Sequence, residues 1–216
     1  VAQKSVDRRK RPTQDRARAT REHILATAGK LFGERGIADT STNRIAAASG
    51  VSIGTLYRYF SDRSEIVDEL LDQVITEVER SFTERAFDIP GVGAAGSMEG
   101  YIDLVSEILS VFTEVLVANA ALIKALVGGV QFYSSGLPEL EPRLRLIVKV
   151  ILIQGLGPGD DGRYDEMAFV LINTGFAAVL RATAVGVSPQ MRDSALAMTA
   201  RMMGSWLYTE AVAAER

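Results

Sequence analysis

The 216-residue sequence has no cysteine and one histidine, His23. Without thiols, a disulfide framework, a thiol redox switch and Cys-ligated zinc are all excluded, and a reducing compartment is compatible. One imidazole cannot build a histidine-based metal site, and His23 lies in a polar Thr-Arg-Glu-His run that suits a helix surface. No metal and no cofactor are therefore expected. No apolar run approaches the roughly 18 uncharged residues of a membrane span, and the basic amino end is not followed by a hydrophobic block, so no membrane partner and a cytoplasmic location are expected. HExxH, GxSxG and P-loop signatures are missing as well, and no catalytic residue is nominated. The run GVGAAG, Gly91 to Gly96, is a literal GxGxxG. It follows the charged segment ERSFTERAFDIP, however, where a dinucleotide site needs a buried strand. The run GLGPG, after IVKVILIQ, lacks a strand-helix-strand context in the same way, and Pro158 counts against it. With no competing strand pattern, the chain reads as all-α and not as an enzyme.

What is present is a divided charge. An apolar fraction of 47% suits a globular chain of one or two domains, and the net charge of -3 is unremarked until it is partitioned. Residues 1 to 63 carry 13 Lys/Arg against 6 Asp/Glu, or +7; the remainder carries 11 against 21, or -10. A basic module joined to an acidic body suits a nucleic-acid reader, because only the surface facing phosphate gains from counterion release. The first 17 residues form a basic arm too polar to pack. It is expected to be flexible when free, and either simply solvated or laid along phosphates or in a minor groove when DNA is bound.

Ser41 to Phe60, STNRIAAASGVSIGTLYRYF, spells two short helices around a glycine turn. The first is expected from Thr42, with Ile45, Ala46 and Ala48 or Ser49 facing inward, and Gly50 supplying the positive φ that ends it. Ser52 caps the second through the amide of Thr55, and that helix runs from Ile53 to about Tyr59. Leu56 and Phe60 then share its inner face, leaving Ile53, Gly54, Thr55, Tyr57, Arg58 and Tyr59 outside. This is the pattern of a DNA-binding helix-turn-helix. In a major groove, Ile53 and the Thr55 methyl meet thymine methyls, hydroxyls reach phosphate, and Gly54 permits close backbone approach. An upstream helix, expected from about Arg16 or Thr20 to Glu34, carries the stripe Ile24, Leu25, Ala28, Leu31 and Phe32, closed by Gly36. A fourth is expected from Ser61, its cap, to about Phe87.

The segment ILATAGKLFGERGIADTSTNRIAAASGVSIGTLYRYFSDRSEIVDELL resembles the DNA-binding domain of TetR-family transcriptional regulators, in its helix order, Gly36, Gly-Val-Ser and Gly-Thr-Leu-Tyr-x-Tyr-Phe. The resemblance implies a domain over 18–78, with the helix-turn-helix at 41–60, and a helical effector-binding and dimerisation domain over 79–216. It implies DNA contacts at Thr42, Asn43, Ile53, Gly54, Thr55, Tyr57 and Tyr59, with Arg63 on phosphate. Arg44, Ser52 and Arg58 complete the candidate interface. Ile53 and the Asn43-Arg44 pair depart from the commoner family residues, which alters base reading and not the module. The implied partners are an operator duplex, a second copy of the chain and a small effector, with repression relieved when the effector tilts the fourth helix.

Beyond Met98 the pattern predicts helices near 98–118, 120–133, 138–154, 163–185 and 188–213, with Pro138 and Pro142 in or before a first turn and Ser188 capping Pro189. The last two combine small and large apolar residues, which suits either a protomer core or, by the family resemblance, a homodimer interface. Tyr101, Phe112, Leu116, Leu126, Phe132, Tyr133, Phe169 and Trp206 are candidates for core or for an effector pocket. Asn119 and Asn173, amides in apolar segments, are expected to meet either a ligand oxygen or a backbone carbonyl. The expected effector is hydrophobic, neutral or weakly polar.

Overall fold

The computed structural model describes residues 7–86, 96–127, 137–184 and 186–214, and every regular element among them is an α-helix. In chain order these are α1 (Asp7–Arg35), α2 (Thr42–Ala48), α3 (Ile53–Tyr59), α4 (Arg63–Ala86), α5 (Met98–Ala118), α6 (Ala120–Val127), α7 (Leu137–Leu156), α8 (Asp161–Ala182) and α9 (Pro189–Ala214). Among the described residues no single helix is long and apolar enough to cross a membrane. Contacts divide the chain into two units. One takes Val1–Asp72 with Ala121–Gly129, the other Gln73–Ala120 with Val130–Arg216.

In the first unit α1, α2, α3 and the first half of α4 enclose one core of Ile24, Leu25, Ala28, Phe32, Ile45, Ala46, Leu56, Phe60, Ile66, Val67 and Leu70. Leu31, expected in the stripe, is only half-buried, because Phe32 and Ala28 already fill the inward face. Gly36, at φ +86°, ends α1 and donates its amide to the Phe32 carbonyl at 2.7 Å. Buried Thr40 then folds its hydroxyl back onto the Gly36 carbonyl at 2.8 Å, which sets the path into α2. Across the core, Arg21 forms a two-toothed ion pair with Glu69, and its guanidinium lies 4.9 Å from the centre of the Phe60 ring.

Two boundaries differ from expectation here. α1 starts at Asp7, so residues 7–17 of the supposed flexible arm extend the helix. Much of that stretch is Arg, Lys, Gln and Ala, good helix formers, and elongating an existing helix costs far less than nucleating one. α6, which the sequence assigns to the body, joins the first unit instead. Gly33 of α1 is the physical reason, since with no side chain it lets Ala121 approach so closely that a Cβ there would lie 2.8 Å from the Ala121 Cβ.

The second unit is a bundle of the second half of α4 with α5, α7, α8 and α9. α5 and α9 meet almost backbone to backbone. At Gly204 a Cβ would stand 2.6 Å from the Ile102 Cα, so no other residue fits. Lys149 of α7 ties α8 down with ion pairs to Asp161 and Asp165 at 2.8 and 2.9 Å, and these carboxylates hold its ammonium pKa above the ordinary lysine value. Asp160 caps α8 by accepting the Arg163 amide at 2.8 Å, which starts that helix earlier than the predicted 163. Ser188 caps α9 through the Met191 amide, with Pro189 at its first position as expected. Pro142 is not in the first turn; it lies inside α7, one turn on, where only one early backbone hydrogen bond is forgone. The expected 88–96 loop lies outside the described residues except for Gly96, and so does the stretch 128–133 predicted to continue α6.

Candidate nucleic-acid interface

α2 and α3 are seven residues each, too short to persist alone, so their ends are held by side chains. Ser41 accepts the Arg44 amide at 3.3 Å and Ser52 accepts the Thr55 amide at 3.0 Å. Both are N-caps with extended backbone. Between the helices Gly50 takes φ +66°, and the Val51 amide returns to the Ala46 carbonyl at 3.0 Å. Of the two residues open for the inner face of α2, Ser49 is buried and Ala48 is exposed; the Ser49 hydroxyl survives burial by bonding the Ile45 carbonyl.

Leu56 and Phe60 anchor α3 at 0% and 1% exposure. The opposite face is left to Ile53, Gly54, Tyr57 and Arg58, all exposed, with Thr55 and Tyr59 at its shoulders. Ile53 at 38% and Tyr57 at 50% are large side chains standing in water on a rigid, capped helix. The Tyr57 hydroxyl is not loose, since it shares a hydrogen bond of 3.1 Å with Thr42 at the start of α2. That bond ties together the two helices expected at DNA. The Arg58 guanidinium lies 5.5 Å from the centre of the Tyr59 ring, while Asn43 is exposed beside Thr42.

Two basic residues expected at DNA have other tasks. Arg63 turns one guanidinium nitrogen onto the carbonyls of Ile37, Ala38 and Thr40, at 2.9, 3.0 and 3.3 Å, and so stitches the start of α4 to the α1–α2 loop. Arg44 donates to the Asp39 carbonyl at 3.1 Å. The cap of α4 is Asp62 and not Ser61. Asp62 accepts the Glu65 amide at 3.0 Å, while Glu65 reaches back to the Ser61 amide at 2.5 Å. That amide is the main reason the Glu65 carboxyl titrates below its ordinary range. The spacing Asp-x-x-Glu at 62 and 65 is the sequence signal for such a box.

Ten residues are candidates for an effector pocket, and the eight that lie among the described residues do not converge; Leu126 of α6, for one, is buried and groups with the first unit. Tyr101 is buried and gives its hydroxyl to the Gly155 carbonyl at 2.7 Å. Leu116 is buried away from the cavity described below. Asn119 caps α5 and donates its amide to Glu77 at 3.1 Å and to the Val115 carbonyl at 3.0 Å. Asn173 bonds the Phe169 carbonyl at 2.9 Å, Phe169 itself is 53% exposed, and Trp206 donates to Glu210 at 3.0 Å. Phe132 and Tyr133 lie outside the described residues. Of the nominated residues among those described, only Phe112 lines the apolar cavity of the second unit, a space of about 60 Å³ among α4, α5, α7, α8 and α9.

Residues 24–70 match the family described as bacterial regulatory proteins, tetR family. The match runs from within α1 through α2 and α3 into the start of α4. The chain is 42% identical over 60 residues to the HTH-type transcriptional regulator AcrR of Shigella flexneri, an alignment spanning 28% of each chain. The chain thus matches little more than a quarter of that relative's length. Likeness of fold reaches further. A putative TetR-family regulator from Syntrophomonas wolfei superposes with a TM-score of 0.63 at 21% identity, over 86% of this chain and 95% of that one. FadR of Thermus thermophilus, a TetR-family transcriptional repressor solved in complex with lauroyl-CoA, gives 0.58 at 19% identity, over 85% and 92%.

Proposed function

We propose that the chain is a sequence-specific DNA-binding transcriptional regulator, a repressor that occupies a palindromic operator as a homodimer and leaves it when a small hydrophobic or weakly polar effector enters the helical body. A task on DNA keeps such a protein in the cytoplasm. The observation that carries this reading is α3 itself: capped at Ser52, backed by Leu56 and Phe60, and presenting Ile53 and Tyr57 outward at 38% and 50% exposure. Apolar groups held rigidly in water fit a surface completed by the edges of bases. The contact set is Thr42, Asn43, Arg44, Ser52, Ile53, Gly54, Thr55, Tyr57, Arg58, Tyr59 and Arg63, the last on phosphate while also supporting the α1–α2 loop.

One recognition helix covers few base pairs, whereas two related by a dyad read half-sites roughly 34 to 36 Å apart or a multiple of that spacing. α8 and α9 support the pairing. Part of what they carry belongs to the protomer core, namely Ala168, Ile172, Gly175, Phe176, Val179 and Leu180 with Met203 and Leu207. Other apolar residues are exposed: Phe169 and Val170 on α8, and Met191, Met198 and Met202 on α9. Spacing of seven and four puts those methionines on one stripe. Repressor action and control by a ligand are supported by the Thermus FadR complex at the level of fold. A coupling of roughly 1 to 3 kcal/mol between effector and operator sites would weaken DNA binding about 5- to 150-fold.

The test is selection of bound fragments from sheared genomic DNA, with light scattering on the same preparation. The expected result is a dimer that retains a few palindromic fragments against scrambled competitor, and Ile53→Ala altering base preference at particular positions. A chain that stays single, or holds no duplex over competitor, would overturn the proposal. A regulator without effector control is the second reading, favoured by the small size of the cavity. Retention of the selected fragments in the presence of every small molecule that binds the body would decide for it.

A further inference from the structure

The void in the second unit has walls of one chemical kind. Its lining comes from Phe82 of α4 and from apolar residues of four other helices, among them Leu109 and Phe112 of α5, Leu152 of α7, Gly175 of α8 and Met203 of α9, and no lining side chain carries nitrogen or oxygen. The backbone groups behind them belong to helix interiors, already paired along the helix axis. The polar side chains that could have served a ligand are committed elsewhere, Tyr101 to Gly155, Asn119 to Glu77 and Val115, Asn173 to Phe169, and Trp206 to Glu210. A ligand placed here meets carbon and one thioether. Any charge or unpaired hydrogen-bonding group it brought would be desolvated without compensation, at several kcal/mol for a neutral polar group and far more for an ion.

Size narrows the choice further. The void measures about 60 Å³, less than the about 150 Å³ at which a dry apolar cavity of this composition takes up benzene. A guest therefore has to displace part of the wall. Gly175 and Met203 mark the part that yields, because a Cβ on Gly175 would point between the Leu109 methyl at 3.3 Å and the Met203 methyl at 3.6 Å. The unbranched thioether of methionine has three rotatable bonds and fills irregular gaps, so it retracts more readily than a branched or aromatic neighbour.

Resting on the effector-controlled reading above, we propose that this cavity is the effector site and that its ligand class is an uncharged hydrocarbon of about one aromatic ring or a short alkyl chain, with no hydrogen-bonding group at the buried end. Carboxylates, amines and polyhydroxylated molecules are excluded from it. Gly175, Leu109 and Met203 form the adjustable wall.

Thermal unfolding of the full chain, with toluene against benzoate, tests the class. Both present the same ring, and only benzoate is charged. Toluene is expected to raise the melting temperature by several degrees through preferential binding to the folded state, and benzoate at equal concentration to leave it unchanged. Gly175→Ala, which fills the gap beside Met203, should abolish most of the toluene shift, and Leu109→Ala, which enlarges the void, should increase it. Should Gly175→Ala fail to fold, Leu109→Ala and the toluene–benzoate contrast still decide. Equal shifts with benzoate, or no toluene shift in either wild type or Leu109→Ala, overturn the ligand class. The same toluene is then added to protein on its selected DNA fragments. Release supports the effector role; a toluene shift without release overturns that role while leaving the ligand class standing.

Discussion

Ser52 and Arg63, both expected at the DNA, also hold the domain together, and single substitutions separate the two tasks. Ser52→Ala removes the hydroxyl that accepts the Thr55 amide, a loss of about 1 kcal/mol for an N-cap. Ser52→Asp restores the cap and suits the positive end of the helix, but sets a carboxylate where phosphate is expected. Chemical denaturation should therefore find the Ala variant weakened and the Asp variant near wild type, while gel retardation finds the Asp variant the poorer DNA binder. Arg63→Ala strips three backbone carbonyls of a charged donor, which should cost about 2 kcal/mol of stability, with partial rescue by Lys. An unchanged denaturation midpoint would return Arg63 to a purely phosphate-facing role. These residues also show what the chain announces locally. The caps, the glycine turn and the inner pair Leu56 and Phe60 are set by neighbours three or four residues away, so α2 and α3 are legible in the sequence. The fate of Tyr101 is not, since its hydroxyl is consumed by a carbonyl 54 residues later. Asn119 likewise is half spent on Glu77, 42 residues earlier, and nothing in its own segment reveals it.

Two glycines of α1 predict opposite outcomes for the same change. Gly costs about 1 kcal/mol relative to Ala inside a helix, so an added methyl stabilises wherever there is room. At Gly29 there is: the nearest atom is the Leu70 methyl at 3.4 Å, the end of a flexible side chain, and Gly29→Ala should raise the melting temperature. At Gly33 there is none, because the new Cβ meets the Ala121 Cβ at 2.8 Å and its backbone carbon at 3.1 Å. Overpacking of this kind costs about 1 to 3 kcal/mol and outweighs the propensity gain. Gly33→Ala should lower the melting temperature and speed amide exchange across 120–127 before the rest of the first unit. Slow exchange there would mean that α6 is held by contacts other than this one. Periodicity along α6 gives no hint of which unit it joins, since the pairing depends on an absent side chain in a distant helix. The cavity is illegible for a related reason, as its walls are drawn from five helices whose apolar residues look alike in sequence.

The proposed homodimer would rest on the exposed methionine stripe of α9, where Met198 and Met202 stand at 68% and 59% exposure. Replacing both with Asp should leave protomer helicity intact by circular dichroism, since neither contributes to the core. Light scattering should then report a monomer, and affinity for a palindromic fragment should fall to that of a single half-site. A dimer that survives the double change would put the interface elsewhere. The charge split of +7 and -10 along the chain acts at this scale too: on the proposed reading, the basic module rather than the acidic body would be drawn to DNA. α4 contributes long stretches to both units, Arg63–Asp72 to the first and Gln73–Ala86 to the second. Its 24 residues, at about 1.5 Å each, make an unbroken lever about 36 Å long, so a turn of about 5° about one end swings the other by about 3 Å. That arc is close to the rise of one base step, about 3.4 Å, so under the proposed function a small rotation of α4 would suffice to put α3 out of step with its sequence.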